Sequence, residues 1–374
     1  MGVEEVCVLA REHIGQDDPQ VVQLVLAAAI NVWDNTDPLW PVFVGPSSAG
    51  KSTLVELTAN LQRELADDVT PAGLLGFRRS EDSTTVAGVL PRVGARGLIV
   101  ISDLSTILSM SDHAQREVLF SYLRKVYDGS LTRHLASVPR PLHWEGRVVV
   151  IAACTSAIDN YNAYQGELGT RFVYLRFTVR DLDERLGRLR RDRHRIKQLA
   201  AVQESAARAV EGGVQRLGKL DITDDLHDLI EIAGEIAAYG RTSVPRDRNH
   251  QVVGTIETEE SWRIRNQLRA VARAGLALGL TVTEVGSLCC RVARDSMPLG
   301  RRNVLAALQH GEVLPTSTLA KRPIASRSAC HRLLEDMEVA GVIVRELVDR
   351  KDFWQIAPDF SELIPLVFNG KVTS

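Results

Sequence analysis

Three short apolar runs, separated by amphipathic and polar stretches, mark the chain between residues 38 and 180. They cover residues 41–44, 97–101 and 147–153, and each is followed by residues that can carry chemistry. Continuous apolar runs are typical of strands buried on both faces, and helical stretches between them predict a doubly wound parallel sheet of the α/β class. Because such sheets bind ligands at the carboxyl ends of their strands, we expect the functional residues there.

Helical patterns flank this region on both sides. Residues 1–37 predict one or two helices, ended by Asp37-Pro38. The arginine-rich stretch at 180–211 also contains acidic residues, which favours a solvated helix with ion pairs over a DNA-binding stripe. Residues 221–310 predict further helices around a polar loop at 245–254.

The pattern changes again after residue 310. We predict two helices around a short turn at Pro323-Ile324 and then two strands around a charged turn, at residues 316–321, 326–339, 342–347 and 353–356. Helix, turn, helix and hairpin together predict a winged helix. The expected domains are an N-terminal helical segment (1–37), a nucleotide-binding core (38–180), a helical lid with linker helices (181–310) and a winged-helix domain (311–374).

Composition narrows the function classes only a little. The 374 residues are 45% hydrophobic and 25% charged, enough for two or three domains with proper cores. The formal charge of −2 means that any nucleic-acid surface must be local. We expect a cytoplasmic protein without membrane contact, because the first residues lack a secretory pattern and the apolar run at 21–32 is too short to cross a bilayer. Five scattered cysteines favour buried thiols over disulfides or a zinc site.

The strongest motif follows the first apolar run. Gly45, Gly50, Lys51 and Ser52 have the spacing of a phosphate-binding loop, in which backbone N–H groups surround a phosphate, the lysine reaches the β- and γ-oxygens, and the hydroxyl ligates Mg²⁺. This motif predicts binding of ATP with Mg²⁺. The predicted binding residues are Gly45, Pro46, Ser47, Ser48, Ala49, Gly50, Lys51, Ser52 and Thr53.

The second and third runs end in further candidates. Asp103 suits a Walker-B aspartate that holds Mg²⁺ through water, although an ordinary strand-ending aspartate is the alternative. Leu104 follows it where many related ATPases carry a glutamate, so hydrolysis is expected to be slow or to use another acid, with Glu81 and Asp82 the nearest. After the third run, Thr155 or Ser156 offers a hydroxyl that orients water or contacts the γ-phosphate, or else caps a turn.

In this order, the three elements resemble those of the AAA+ ATPases, with Thr155 or Ser156 in the sensor-1 position. Residues 167–172, Glu-Leu-Gly-Thr-Arg-Phe, resemble the family's arginine-finger box, and residues 261–268 are similar to the sensor-2 helix of Holliday-junction branch-migration motors. The resemblance implies that Arg171 and Arg263 stabilise the transferring phosphoryl group, with a buried ion pair as the alternative for Arg171 and Arg265 as the rival of Arg263. A finger implies an oligomer, a ring or a filament.

Residues 123–147 lie where minichromosome-maintenance-like helicases carry a DNA-contacting hairpin. Asp128-Gly129 predicts the hairpin turn, and Lys125, Arg133 and His134 are then candidates for phosphate contacts. A plain connection with surface charges is equally compatible with the sequence.

In a winged helix, the second helix enters the major groove and the wing contacts phosphate or the minor groove. The expected DNA contacts are Arg327, Ser328 and His331 on that helix and Arg345, Arg350 and Lys351 on or near the wing, with Ser326 opening the helix and Lys321 and Arg322 positioning the backbone. Contact with a protein partner is the alternative use of this module.

Origin-recognition-type initiators share this domain order. The resemblance therefore implies an ATP-dependent protein that assembles on duplex DNA, as replication initiators, helicase loaders and helicase-like factors do, those of mobile elements among them. Two alternatives remain: a transcription regulator switched by ATP, and a protein-remodelling ATPase whose winged helix binds a partner.

Overall fold

The computed structural model describes residues 2–46, 50–67, 69–79, 84–138, 140–161, 171–177, 199–249, 251–253, 260–321 and 327–370. Its internal contacts divide the chain into two compact units. The first contains residues 1–221 and 270–281, and the second contains residues 222–269 and 282–374. The four domains predicted from the sequence stay predictions.

A five-stranded parallel sheet forms the centre of the first unit. The strands described in this unit are β1 (Trp40–Val44), β2 (Arg63–Leu65), β3 (Gly76–Arg79), β4 (Thr84–Ala87), β5 (Arg96–Ile101), β6 (Ser130–Arg133), β7 (Leu142–Glu145), β8 (Arg147–Cys154) and β9 (Phe172–Arg176). The sheet order is β2-β5-β8-β1-β9, and all four pairings are parallel. The α/β class is confirmed, and the three apolar runs form β1, β5 and β8.

Continuous apolar sequence places these strands in the interior, because both faces of the sheet are covered. β1 is buried along its whole length, and β8 is buried from its second residue onward. The helices described in this unit are Val3–Ile14, Pro19–Asn31, Lys51–Val55, Pro71–Leu74, Val89–Val93, Leu104–Leu108, His113–Tyr127, Leu199–Arg216 and the final part of Trp262–Leu278. Two helices before residue 37 confirm that part of the prediction.

The buried Asn31, the last residue of helix Pro19–Asn31, joins this helix to the sheet. Its Oδ1 accepts hydrogen bonds from the Leu39 N–H at 2.7 Å and from the Arg147 guanidinium at 3.1 Å. Its carbonyl accepts two more from Arg147, at 3.0 and 3.2 Å. A buried amide is stable only when its polar atoms are paired, so these bonds fix the beginnings of β1 and β8 relative to the helix.

Two antiparallel hairpins, β3–β4 and β6–β7, accompany the sheet. The predicted hairpin turn at Asp128-Gly129 is wrong. Asp128 caps helix His113–Tyr127, Gly129 has a φ of 94°, and its N–H donates to the Val126 carbonyl at 3.1 Å, so these residues end the helix. The connection of the β6–β7 hairpin lies at residues 134–141 instead.

The second unit combines helices with a small antiparallel sheet. Its described helices are Asp224–Arg241, the first part of Trp262–Leu278, Val282–Asp295, Leu299–Leu308, Thr316–Leu319, Arg327–Val339 and Leu363–Asn369. Its strands are β10 (Leu314–Pro315), β11 (Ile343–Val348) and β12 (Lys351–Ile356), in the order β10-β12-β11. Trp354 is fully buried, and its indole N–H donates to the Thr316 hydroxyl at 2.8 Å, which joins β12 to helix Thr316–Leu319.

The two helices and the hairpin predicted after residue 310 are present, with a tighter turn. Residues 323–324, the predicted turn between the helices, lie outside the described residues. The hairpin turn contains only Asp349 and Arg350, whose φ angles of 47° and 60° are both left-handed. A two-residue loop with two left-handed residues is the type I′ geometry, which matches the twist of the flanking strands.

Among the described residues, no helix has the length and apolar character needed to cross a membrane. All five cysteines are free, and four of them are buried.

Candidate functional site

The loop after β1 lies at the carboxyl edge of the sheet, between the ends of β8 and β9. The Gly45 N–H donates to the Cys154 carbonyl at 3.1 Å, and the Phe177 N–H donates to the Val44 carbonyl at 2.8 Å. A Cβ at Gly45 would lie 3.0 Å from the Phe177 Cβ. Gly50, with a φ of 83°, caps helix Lys51–Val55. Both glycines are therefore needed, one for close packing and one for backbone conformation.

Lys51 is held against this loop by the loop's own carbonyls. Its ammonium donates to the carbonyls of Gly45 at 2.9 Å and Pro46 at 2.6 Å. Burial lowers the pKa of Lys51, while the negative charge of Asp103 acts in the opposite direction. Ser52 is exposed beside it and Thr53 is half-buried; Ser47, Ser48 and Ala49 lie outside the described residues.

Asp103 is exposed at the end of β5 and caps helix Leu104–Leu108. Its Oδ1 accepts a hydrogen bond from the Ser105 N–H at 2.9 Å. Leu104, by contrast, is 1% exposed and packs into the hydrophobic core of the first unit. The backbone therefore directs the position after Asp103 away from the loop.

The structure describes Asp67 at this edge but not the two acids that were expected to activate water. Glu81 and Asp82 lie outside the described residues. Asp67, two residues after β2, accepts a hydrogen bond from the Ser102 N–H and so lies beside the end of β5. No apolar run in the sequence points to Asp67, because β2 is short and only partly buried.

Thr155 belongs to a small hydroxyl cluster at the end of β8. Its hydroxyl lies 3.2 Å from the Ser105 Oγ, and its N–H donates to the same atom at 3.2 Å. The Ser105 Oγ also lies 3.4 Å from the Cys154 sulfur, and burial raises the pKa of that thiol. Ser156 is exposed and begins a 3-10 turn, Ser156–Tyr161. Of the two candidates, Thr155 is therefore the one that contacts the turn after Asp103, through Ser105. In the sequence, Ser105 was indicated only by its position two residues after Asp103.

A nearly buried ion pair lies at the end of β9. The Arg176 guanidinium donates to both carboxylate oxygens of Asp159 at 2.8 Å. Arg176 is paired in register with Val44, the last residue of β1. This pair fixes the Ser156–Tyr161 turn beside the loop. No local sequence pattern indicates the pair, because its partners lie 17 residues apart.

Arg171 stands at the opposite edge of the sheet, directly before β9. Its guanidinium donates to both oxygens of Asp128 at 3.1 Å and lies 5.6 Å from the centre of the Tyr127 ring. Its side chain is 12% exposed. This is the ion-pair alternative, and the finger role stays a prediction; residues 167–170 of the box lie outside the described residues.

Arg263 and Arg265, the two candidate arginines of the predicted lid, have different surroundings in the second unit. Arg265 donates to Glu231 at 2.5 Å and packs against Gly234, where a Cβ would lie 2.3 Å from the Arg265 Cγ. Arg263 lies 5.3 Å from the ring centre of Trp262, which is 48% exposed. Arg265 is thus committed to the packing of the helices, and Arg263 lies beside an exposed aromatic ring.

The residues predicted to contact DNA also differ, because some are paired with acids of the same unit and others are exposed. His331 lies 3.2 Å from Asp352 and 3.3 Å from Glu335, and Arg345 pairs with Glu338 at 3.5 Å. Ser328, Arg350 and Lys351 are exposed. The side chain of Arg327, together with Ser326 and Arg322, lies outside the described part of the chain, and Lys321 is exposed.

Of the three candidates for phosphate contacts at residues 123–147, one packs within the unit and two are exposed. Arg133 donates to the carbonyls of Pro71 and Leu75 and lies 5.2 Å from the Tyr122 ring centre, so it holds the β6–β7 hairpin in place. Lys125 and His134 are exposed.

No group of three or more potential metal-binding side chains of His, Cys, Asp or Glu occurs among the described residues. No protein-family model matches the chain, and no curated protein matches it significantly.

Proposed function

We propose that the chain is an ATP-binding protein of the AAA+ type, and that residues 45–53 hold ATP with Mg²⁺. The observation that carries this proposal is the position of Lys51. Its ammonium rests on two loop carbonyls at the carboxyl edge of a parallel sheet, and its charge is attracted by Asp103. A lysine in this position exchanges weak carbonyl contacts for the β- and γ-phosphate oxygens when nucleotide enters.

The donor set also fits Mg²⁺. Ser52 and Asp103 are exposed, and both carry the oxygen ligands that this ion prefers. One oxygen of Asp103 accepts the Ser105 N–H, which orients the carboxylate. When bound, the ion neutralises charge that develops on the phosphate oxygens.

The remaining residues support binding more strongly than rapid hydrolysis. Thr155, joined to the Asp103 turn through Ser105, offers a hydroxyl that positions water or the γ-phosphate. Leu104 is buried and supplies no base. We therefore expect slow hydrolysis, with an acid from another segment or none.

Replacing Lys51 by alanine tests the nucleotide site. We expect Lys51→Ala to lower the affinity for a fluorescent ATP analogue at least about tenfold, because charge-assisted bonds to phosphate are lost. Lys219→Ala, which removes an exposed lysine of the same unit, is the matched control. Unchanged affinity of Lys51→Ala in equilibrium titration means that the loop does not hold the phosphates.

For the second unit we propose duplex DNA binding by a winged helix, formed by helices Thr316–Leu319 and Arg327–Val339 and the β11–β12 hairpin. The order of these elements and the exposed Arg350 and Lys351 at the hairpin tip support this role. With the nucleotide site, this favours a replication initiator, helicase loader or helicase-like factor that acts as an oligomer on DNA. A transcription regulator switched by ATP and a protein-remodelling ATPase are the alternatives.

Duplex binding and its salt dependence separate these functions. An initiator or regulator binds duplex DNA with an affinity that falls steeply as salt increases. ATP turnover stimulated by DNA favours the initiator or helicase-like role over the regulator. Absence of duplex binding even at low salt leaves the remodelling ATPase.

Sharing of nucleotide sites between subunits depends on Arg171. A finger role requires the Arg171–Asp128 pair to open, so its free energy opposes insertion into a neighbouring site. Mixing Arg171→Ala with Lys51→Ala subunits tests this. Recovered ATP turnover in the mixture supports shared sites, whereas turnover equal to the average of the separate variants contradicts them.

A further inference from the structure

Helix Arg327–Val339 has one face toward solvent. Its buried residues Cys330, Leu334 and Met337 follow the spacing of a single helix face. The opposite face contains Ser328, Arg332, Glu335 and Val339, at spacings of four, three and four residues, and all four are exposed or half-buried. This line of residues is called the solvent ridge below.

The β11–β12 hairpin covers one flank of the solvent ridge. His331 contacts Asp352 at 3.2 Å, and Glu338 contacts Arg345 at 3.5 Å. These two helix positions are seven residues apart, so they lie on the same flank. His331 and Asp352 lie nearer the hairpin turn than Glu338 and Arg345 do, so the hairpin tip is level with the amino end of the helix.

Residues 245–249 and 251–253 cover the other flank. The Arg246 guanidinium donates to one Asp336 oxygen at 2.6 and 2.9 Å and to the Arg332 carbonyl at 3.2 Å. Arg301 lies 3.7 Å from the second Asp336 oxygen and also donates to the carbonyls of Gly240 and Thr242, which lead into this loop. The loop is thereby fixed against the middle of the helix.

Described residues on both sides of the loop's tip are held together by hydrogen bonds. One oxygen of Asp247 accepts hydrogen bonds from the N–H groups of Asn249 and Gln251, both at 2.8 Å. Arg246 and Val252 form a β-bridge at the base. Arg248 lies between these contacts, on the exposed side of the turn.

The distribution of paired and unpaired charges on this surface favours an anionic partner. The helix carboxylates are paired within the unit, Asp336 with Arg246 and Arg301, Glu335 with Arg246, and Glu338 with Arg345. Among the described residues, the side chains of Arg248, Arg332, Arg350 and Lys351 make no hydrogen bond or ion pair. Cations without a hydrogen bond or ion pair therefore occur on the ridge and on both flanks, and the carboxylates of the helix itself are paired, although the exposed Asp247 and Asp349 adjoin Arg248 and Arg350.

We propose that residues 245–249 and 251–253 form a second phosphate-contacting flank of the DNA-binding surface, with Arg248 contacting one strand's backbone and Arg332 directed into the groove. The hairpin tip, with Arg350 and Lys351, contacts the backbone on the other side. This inference rests on the proposed binding of duplex DNA. Cations on both sides of a helix match the two phosphate rows that border a groove.

The test measures duplex binding by fluorescence anisotropy over a range of salt concentrations, with the full chain. Each lost phosphate contact is expected to reduce the slope of log affinity against log salt by about 0.9. We expect Arg248→Ala to reduce it by that amount on every duplex sequence. Arg11→Ala removes an exposed arginine of the first unit and should leave the slope unchanged.

Two further variants separate the outcomes. Arg350→Ala should reduce the slope as Arg248→Ala does, and the double variant should show the sum of the two reductions. Arg332→Ala should weaken binding and alter the preference among duplex sequences. A slope for Arg248→Ala equal to that of Arg11→Ala, with Arg350→Ala still impaired, overturns the second flank and leaves DNA binding intact. Absence of binding by the unaltered chain overturns the proposed function itself.

Discussion

At the scale of single residues, Asp34 shows how a buried charge is stabilised in this chain. Its carboxylate is 4% exposed and accepts hydrogen bonds from Arg273, at 3.1 Å for the shortest, and from Thr36 at 2.8 Å. Burial alone raises the pKa of Asp34, but the bonds and charge of Arg273 and the Thr36 hydroxyl outweigh it and hold the pKa below its usual 3.8. The ionised form therefore favours the folded state.

Asp34→Asn should reduce the free energy of unfolding at pH 7 by about 1–3 kcal/mol, because Arg273 loses its charged partner. A carboxyl with a lowered pKa stabilises the fold at pH values above its unfolded pKa, and this stabilisation is lost as the pH falls through the folded pKa. The difference between the two proteins should thus be full above about pH 5 and diminish progressively as the pH falls through the lowered pKa of the folded state. Urea unfolding across pH measures this.

Glu12→Gln, which removes an exposed carboxylate of the same unit, is the control for the change in net charge. A constant difference between Asp34→Asn and the unaltered chain, from pH 7 down to the acid limit, would show that the ion pair does not stabilise the fold.

At the scale of elements, the β11–β12 turn combines a left-handed backbone with a bulky residue. Arg350 adopts a φ of 60°, a conformation that costs a residue with a Cβ on the order of 1 kcal/mol and costs glycine nothing. Arg350 occupies the position at which glycine is favoured in a turn of this type. The turn is therefore less stable than it would be with glycine, and a guanidinium is placed at the hairpin tip.

Arg350→Gly should therefore raise the free energy of unfolding of the second unit by about 0.5–1 kcal/mol, whereas Arg350→Ala should not. Both variants lose the same charge and should lose DNA affinity equally. Thermal unfolding and anisotropy titrations measure the two effects. Equal stability of the glycine and alanine variants would mean that the turn is not strained.

Elements with a strong local signal were predictable, and those that depend on distant partners were not. Val148 and its neighbours form a strand because a short continuous run of β-branched apolar residues favours a strand that is buried on both faces. Gly129 was ambiguous, because Asp-Gly favours both a hairpin turn and a helix end. The Arg176–Asp159 pair and the contact of Ser105 with Thr155 required knowledge of which strands are adjacent.

At the scale of the whole molecule, the buried cysteines report on each unit separately. Cys154 belongs to the first unit, and Cys289, Cys290 and Cys330 belong to the second. Burial raises the pKa of the Cys290 thiol to about 12 and that of Cys289 well above its usual value, so neither forms a reactive thiolate while folded.

Pulsed thiol labelling at increasing urea, read by mass spectrometry, should modify these cysteines only as their unit opens. ATP with Mg²⁺ should shift Cys154 labelling to higher urea, because ligands stabilise the unit that binds them. Cys290 is the internal control, and a shift of Cys290 equal to that of Cys154 would show that the units unfold together. No shift of Cys154 would argue against nucleotide binding by the first unit.

The burial of Leu104 limits which substitutions are tolerated next to Asp103. Its side chain is 1% exposed in the core, so a glutamate at this position would place a carboxylate among apolar groups at a cost of several kcal/mol. The position next to Asp103 therefore cannot gain a water-activating acid by one substitution. Under the proposed ATPase function, faster turnover would have to come from an acid in a different segment or in a second protein, and that segment or protein would then govern when nucleotide is released.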